Sequence, residues 1–223
     1  YWGLMARVHR FESHGLEHLD GERACLIAGY HGRPVAYDLC FLSVELHKRL
    51  GYLPHAIFHG SFAAPGLRWY LEGLGSVTND DVQLTEVVAR GEHIIALPGG
   101  TREGHRSWRR PHHVDWGERL GYLRLAIKHK LPIVPVAAAG VDRAYLGLFE
   151  GYKWRKRLGL PAWMPFWAGV GPLGPWPFSP PFPVKITQWI GAPIEDTANG
   201  SVAGDDQEAL TRVHTRVVAE VEG

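Results

Sequence analysis

His31, with Asp38 a short way downstream, and the turn Pro98-Gly99-Gly100-Thr101-Arg102-Glu103 are the residues whose types and spacing could do chemistry. A neutral imidazole is the usual base for a hydroxyl whose pKa lies far above neutrality. A carboxylate on the other ring nitrogen fixes the tautomer and stabilises the imidazolium that forms. A glycine turn can aim backbone N–H groups at a phosphate or a developing oxyanion. Arg102 adds a planar cationic fork, and Glu103 could anchor it. Taken together, a base, a set of N–H donors and a cation suggest transfer of an acyl group to a hydroxyl.

Both motifs need strands to present them. Ala24–Gly29 is an apolar run that reads as a buried strand before His31, and Ile94–Leu97 is another before the glycine turn. Pro34 suits the first turn of a helix that continues from Asp38 to about Leu50. Further strands are expected at Ala56–Phe58, Leu131–Val136 and Val184–Ile190, although Pro132 and Pro135 sit uneasily with a central position. Helices are expected over part of Trp2–Phe11, over Gly66–Gly73, from Asp80 or Asp81 to Arg90, over Trp116–His129 and over Gln207–Val221. Alternating strands and helices predict an α/β layered fold, one domain over 1–223, with a mostly parallel central sheet flanked by helices. Loops at the strand C-terminal ends would then gather the chemistry on one edge.

Composition narrows the function classes. A chain of 223 residues with 45% hydrophobic content can bury a full core. A formal net charge of +1 excludes a strongly basic nucleic-acid binder. Cys25 and Cys40 lie in apolar contexts without CxxC spacing, which predicts reduced thiols rather than a disulfide framework. The longest weakly polar run, Leu131–Val141, falls far short of the ~20 residues that a spanning helix needs. Whether a transmembrane segment precedes Tyr1 is left open.

Four blocks in order carry a resemblance. They are His31-Gly32…Asp38, Arg68 through Gly75-Ser76-Val77, Leu97–Glu103, and Leu131-Pro132-Ile133-Val134-Pro135-Val136. The chain resembles the glycerolipid (lysophospholipid-type) acyltransferase superfamily, and most of all its monoacylglycerol and diacylglycerol acyltransferase branch. The Pro-Gly-Gly-x-Arg-Glu form, Trp116-Gly117…Gly121 and Trp189–Ile194 all favour that branch. The resemblance implies His31 as general base, Asp38 as its orienter, and Gly99, Gly100, Thr101, Arg102 and Glu103 around a substrate. It implies an acyl thioester donor, acyl-coenzyme A or acyl carrier protein, a lipid alcohol acceptor, no metal and no cofactor. Alternatives within it are lysophosphatidate acylation and a non-catalytic lipid-binding domain of the same fold. Two departures stand out: six residues separate His31 from Asp38 where the family has four, and Gly99 stands where many relatives have Glu.

Residues 150–183 change character. The basic cluster Lys153-Trp154-Arg155-Lys156-Arg157 precedes a Pro-rich stretch with Trp163, Phe166, Trp167, Trp176, Phe178 and Phe182. Tryptophan beside Lys and Arg suits the headgroup level of a bilayer, so two readings of this insertion stay open: it faces a membrane at its cytoplasmic side, with Trp163 and Trp167 in contact, or it is an irregular loop whose aromatics pack on the core. The run Arg106, Arg109, Arg110, His112 and His113 could meet donor phosphates or an anionic membrane. His14-Gly15-Leu16-Glu17-His18 spells the H-x-x-E-H zinc pattern, but it needs a stable helix and a distal ligand. Gly169–Gly174 spells GxGxxG with Pro172 inside it, and reads as a turn.

Overall fold

The computed structural model describes residues 1–58, 75–78, 81–160 and 167–223. The expected helix at 66–73, and with it Arg68, Asp80, Trp163 and Phe166, lies outside them. In chain order the elements are α1 (Trp2–Val8), β1 (Glu12–His14), β2 (Leu26–Gly29), α2 (Tyr37–Leu50), β3 (His55–Phe58), β4 (Val77–Thr78) and α3 (Asp81–Ala89). Next come β5 (Ile94–Ala96), α4 (Gly100–Gly104), α5 (Gly121–Lys128), β6 (Ile133–Ala139), β7 (Leu146–Gly147) and α6 (Gly151–Arg157). The chain closes with β8 (Gly169–Gly171), β9 (Gly174–Pro175), β10 (Thr187–Ile190) and α7 (Gln207–Glu222).

Seven strands form one sheet in the order β1-β10-β6-β2-β5-β3-β4. From β6 to β4 every pairing is parallel, and β10 enters antiparallel to β6 with β1 parallel beside it. The mostly parallel α/β sheet read from the alternating pattern is therefore the observed one. β2 sits at its centre, and all four of its residues are buried, as expected for a strand covered on both faces. Its side chains divide by parity: Leu26 and Ala28 join a core with α5 and α7, whereas Ile27 joins Leu39, Leu42 and Leu46 of α2 on the other face.

Three expectations change. β6 does occupy a central position despite Pro135. Its pairing with β10 starts only at Val136, so the missing N–H falls outside that ladder, while the Pro135 carbonyl accepts from Gly191 N at 2.9 Å. Pro34 does not open a helix: Ala36 adopts a left-handed conformation at φ 49°, and α2 begins at Tyr37. The 150–183 stretch is not an irregular loop. It carries the short helix α6 and joins β7 in a second, three-stranded antiparallel sheet, β7-β8-β9. The GxGxxG sequence is the β8–β9 hairpin of that sheet.

Candidate active site

Three adjacent parallel strands, β6, β2 and β5, end on the same edge of the sheet and deliver the candidate site residues there. His31 follows β2, the glycine turn and α4 follow β5, and Asp142 lies in a one-turn 3₁₀ helix after β6.

The first two motifs meet. A Cβ built on Gly104 would lie 2.7 Å from both Cε1 and Nδ1 of His31, so the imidazole rests flat against the end of α4. The His31 N–H donates to Glu103 Oε2 at 3.0 Å. Glu103 also accepts from Asp115 N–H at 2.7 Å and from Trp116 Nε1 at 3.2 Å. Burial pushes the Glu103 carboxyl up to about 7 against the pull of these donors. Gly99 makes room for it: a Cβ there would lie 2.0 Å from Glu103 Cδ. A carboxylate from the next helical turn thus occupies the space beside Gly99, so the turn is small because Glu103 folds back over it.

His31 Nδ1 lies 3.0 Å from the Gly32 carbonyl oxygen. A carbonyl only accepts, so Nδ1 carries the proton and Nε2 keeps the lone pair. Burial lowers the pKa of the ring below its ordinary value and so favours the neutral form, against the pull of its backbone hydrogen bonds and the charge of Asp142.

Asp38 is not joined to His31 by a hydrogen bond. Its Oδ2 accepts from Gln188 Nε2 of β10 at 3.4 Å, and Oδ1 has no partner of good geometry among the described residues. Burial pushes this carboxyl up to about 7, only partly offset by N–H groups of its own helix turn and the Gln188 amide. Asp38 follows the left-handed Ala36 in the first turn of α2, and its carboxyl meets Gln188 of β10.

Besides Glu103, the carboxylate that serves the His31 loop is Asp142, 1% exposed. It accepts from the Tyr30 hydroxyl, from Arg106 Nη2 at 2.8 Å and from His112 N–H at 2.8 Å. Arg33 Nη2 donates to its backbone carbonyl at 2.5 Å. Tyr30 and Arg33 bracket His31, and the Arg106 guanidinium lies 4.2 Å over the Tyr30 ring. Asp142 was not legible as a site residue from motif spacing. The signal available was its place just past a strand bound for the same sheet edge.

The remaining turn residues face outward. Thr101 is half-buried, and Arg102, about two-fifths exposed, donates from Nε to Asp115 Oδ2 at 2.7 Å. Arg102, Arg106, Arg110 and His113 line a shallow cleft with Asp115 and Glu150. Gly99 and Pro98 offer their carbonyls to Arg119 Nη1, at 2.5 and 2.9 Å, and Gly100 takes a positive φ of 51°. His105 stacks on Trp167, and burial pushes its pKa down to about 4.

Trp167, at a bilayer in one of the two readings, is buried instead: its Nε1 donates to the Arg106 carbonyl at 3.2 Å and its ring packs on Tyr145 and Trp176. His14 and His18 lie on a strand and a 3₁₀ turn rather than one helix. One stacks on Trp189 and the other meets the Ile190 carbonyl at 3.0 Å. Among the described residues no cluster could hold a metal ion, and no helix is long and apolar enough to cross a membrane.

No family model matches the chain. A Gallus gallus protein described as "DGAT1/2-independent enzyme synthesizing storage lipids" is 32% identical over 216 residues, covering 95% of this chain and 60% of that protein. Human "Diacylglycerol O-acyltransferase 2" is 30% identical over 139 residues, 57% of this chain and 36% of that one. The chain thus spans somewhat more than half the length of the first relatives it matches. Among solved structures, the 1-acyl-sn-glycerophosphate acyltransferase PlsC of Thermotoga maritima aligns with a TM-score of 0.51 at 17% identity, over 100% of this chain and 80% of that one. That match concerns the fold. Matched along nearly its whole length and sharing the layered sheet, the chain is a member of the glycerolipid acyltransferase superfamily.

Proposed function

We propose that this chain transfers a fatty acyl group from an acyl thioester, acyl-coenzyme A or acyl carrier protein, to the hydroxyl of a glycerolipid or similar lipid alcohol. His31 Nε2 takes the hydroxyl proton as the oxygen attacks the thioester carbonyl. The C–S bond then breaks, and the proton passes from the imidazolium to the departing thiolate. No covalent acyl-enzyme is needed. The observation that carries this reading is the half-buried, neutral imidazole whose Nδ1 proton is held by the Gly32 carbonyl, beside the helix end at Gly104.

In this reading the backbone carbonyl of Gly32 fixes the tautomer, the task the resemblance gives to Asp38. Asp142 holds the loop and lends its charge to the imidazolium as that forms. Arg102 borders the cleft in which Arg106, Arg110 and His113 would meet a phosphate of donor or acceptor, and Thr101 precedes it in the turn. Gly99 and Gly100 give the bend, and Glu103 braces the His31 backbone rather than touching substrate.

The test follows free thiol released from an acyl thioester, with monoacylglycerol, diacylglycerol or lysophosphatidate as acceptor. Release that depends on an acceptor, and a drop on the order of 100- to 10,000-fold in His31→Ala, are expected for a general base. Full activity in His31→Ala overturns the role of the imidazole. No release with any acceptor points to a lipid-binding module instead.

A further inference from the structure

The second sheet shows a face that nothing in the described structure covers. Leu146 pairs with Val170, and Val170 with Pro175, so the three side chains form one row across β7, β8 and β9. Alternate positions, Gly169 and Gly171, point inward, where an added Cβ would strike Trp167 and Ser179. The row therefore faces outward: Leu146 and Pro175 are exposed and Val170 is half-buried. At the hairpin tip Leu173 is 80% exposed, and Phe178 beyond it is 89% exposed. Ser179 Oγ accepts from the Leu173 N–H at 3.0 Å and so holds these two large apolar side chains near one another.

The chain leaves β7 through exposed Leu148 and enters α6, which exposes Trp154 and is followed at once by exposed Leu158, four residues on at its C-cap. Lys153, Lys156 and Arg157 are exposed around them, and the Arg157 guanidinium lies 5.6 Å from the Trp154 ring. No Asp or Glu occurs between Gly151 and Ile194. Solvated faces usually mix both signs. This segment instead offers cations interleaved with apolar side chains, which complements a negatively charged interface with an apolar layer beneath it.

We infer that the outer row of the β7-β8-β9 sheet, its Leu173–Phe178 tip and helix α6 together form a docking surface for an anionic lipid bilayer. The surface is continuous with the catalytic edge. Gly151 N–H donates to the His105 carbonyl at 2.8 Å, one residue past the helix end on which His31 rests, and Trp108 N–H donates to Gly147 of β7 at 2.8 Å. Docking here sets lipid next to the pocket in which the proposed acyl transfer would take place.

The test is co-sedimentation of the intact chain with phosphatidylcholine vesicles, and with vesicles that also contain phosphatidylglycerol. Binding is expected to the anionic vesicles and to weaken as salt rises. Leu173→Asp with Phe178→Asp, and separately Lys153→Glu with Lys156→Glu, should each lower the bound fraction on the order of tenfold or more, with unchanged circular dichroism. All four side chains are exposed, so these variants keep the core intact. Unchanged binding in both double variants overturns the assignment. So does a concentration-dependent dimer that Phe178→Asp dissolves while vesicle binding persists, which would make this face a contact between copies. The measurement involves no turnover: vesicle binding without thiol release would leave the surface standing and sink the acyl-transfer reading alone.

Discussion

Gly104 is where a single methyl group would report on the chemistry. Its Cβ would meet the His31 ring at 2.7 Å, and Gly104 lies at the end of a helix where Ala fits the backbone. The ring sits at the far end of its side chain and can swing, so the cost falls on geometry rather than on folding. Gly104→Ala should therefore lower kcat on the order of 100-fold, as a roughly ångström-scale misplacement of a reacting group does, with little change in the thermal transition. A Gly104→Ala enzyme with normal turnover would show that the imidazole does not act from this position. Gly99→Ala should behave differently, because the clash is with buried Glu103 and its three donors. A drop in stability of about 2 kcal/mol, read from denaturant unfolding, is expected there.

At the level of elements, the site is a seam where the ends of β6, β2 and β5 are tied side by side, and Asp142 is the knot. Asp142→Asn replaces a carboxylate that two guanidiniums, a hydroxyl and an N–H all address, leaving two buried cations under-compensated. The expected loss is about 3–5 kcal/mol by thermal or denaturant unfolding, and Asp142→Glu should not restore it in so closed a space. The strands that make the seam were legible as short apolar runs, since a strand buried on both faces has no polar side to hide. That His31 and the Gly99–Glu103 turn would meet was legible because each follows a short apolar strand of a parallel sheet, whose ends share one edge. Asp142 was not, since one aspartate after a strand looks like any turn residue. Asp38 misled for the opposite reason: spacing along the chain says nothing of the left-handed step at Ala36 that turns its carboxyl toward Gln188. The aromatic stretch after α6 misled in the same way, because its composition fits both a bilayer contact and the packing that Trp167 and Trp176 make with Tyr145.

For the molecule as a whole, buried acids and buried histidines pull the pH dependence of stability in opposite directions. Asp38 moves from an ordinary 3.8 to about 7 on folding, and Glu103 from 4.5 to about 7. Between these limits the two carboxyls hold more protons in the folded state than in the unfolded chain, so their contribution to stability falls as pH rises from about 4 to about 7. Buried His93 and His105, each pushed down to about 4, act in the opposite sense. Asp38→Asn removes one of these acids. The variant should gain on the order of 1–3 kcal/mol over the parent at pH 8, and the gap should close towards pH 4 in urea melts. A loss of stability at pH 8 would mean that Asp38 is ionised and paired, as an orienter of His31 would be. Tyr30 and Asp142, which are joined beside the His31 loop, lie 112 residues apart along the chain. During synthesis a ribosome has finished both hallmark motifs well before it reaches that aspartate. The His31 loop thus waits for β6 and the turn after it to emerge, and any product that stops short of them carries both motifs without the aspartate that ties them together.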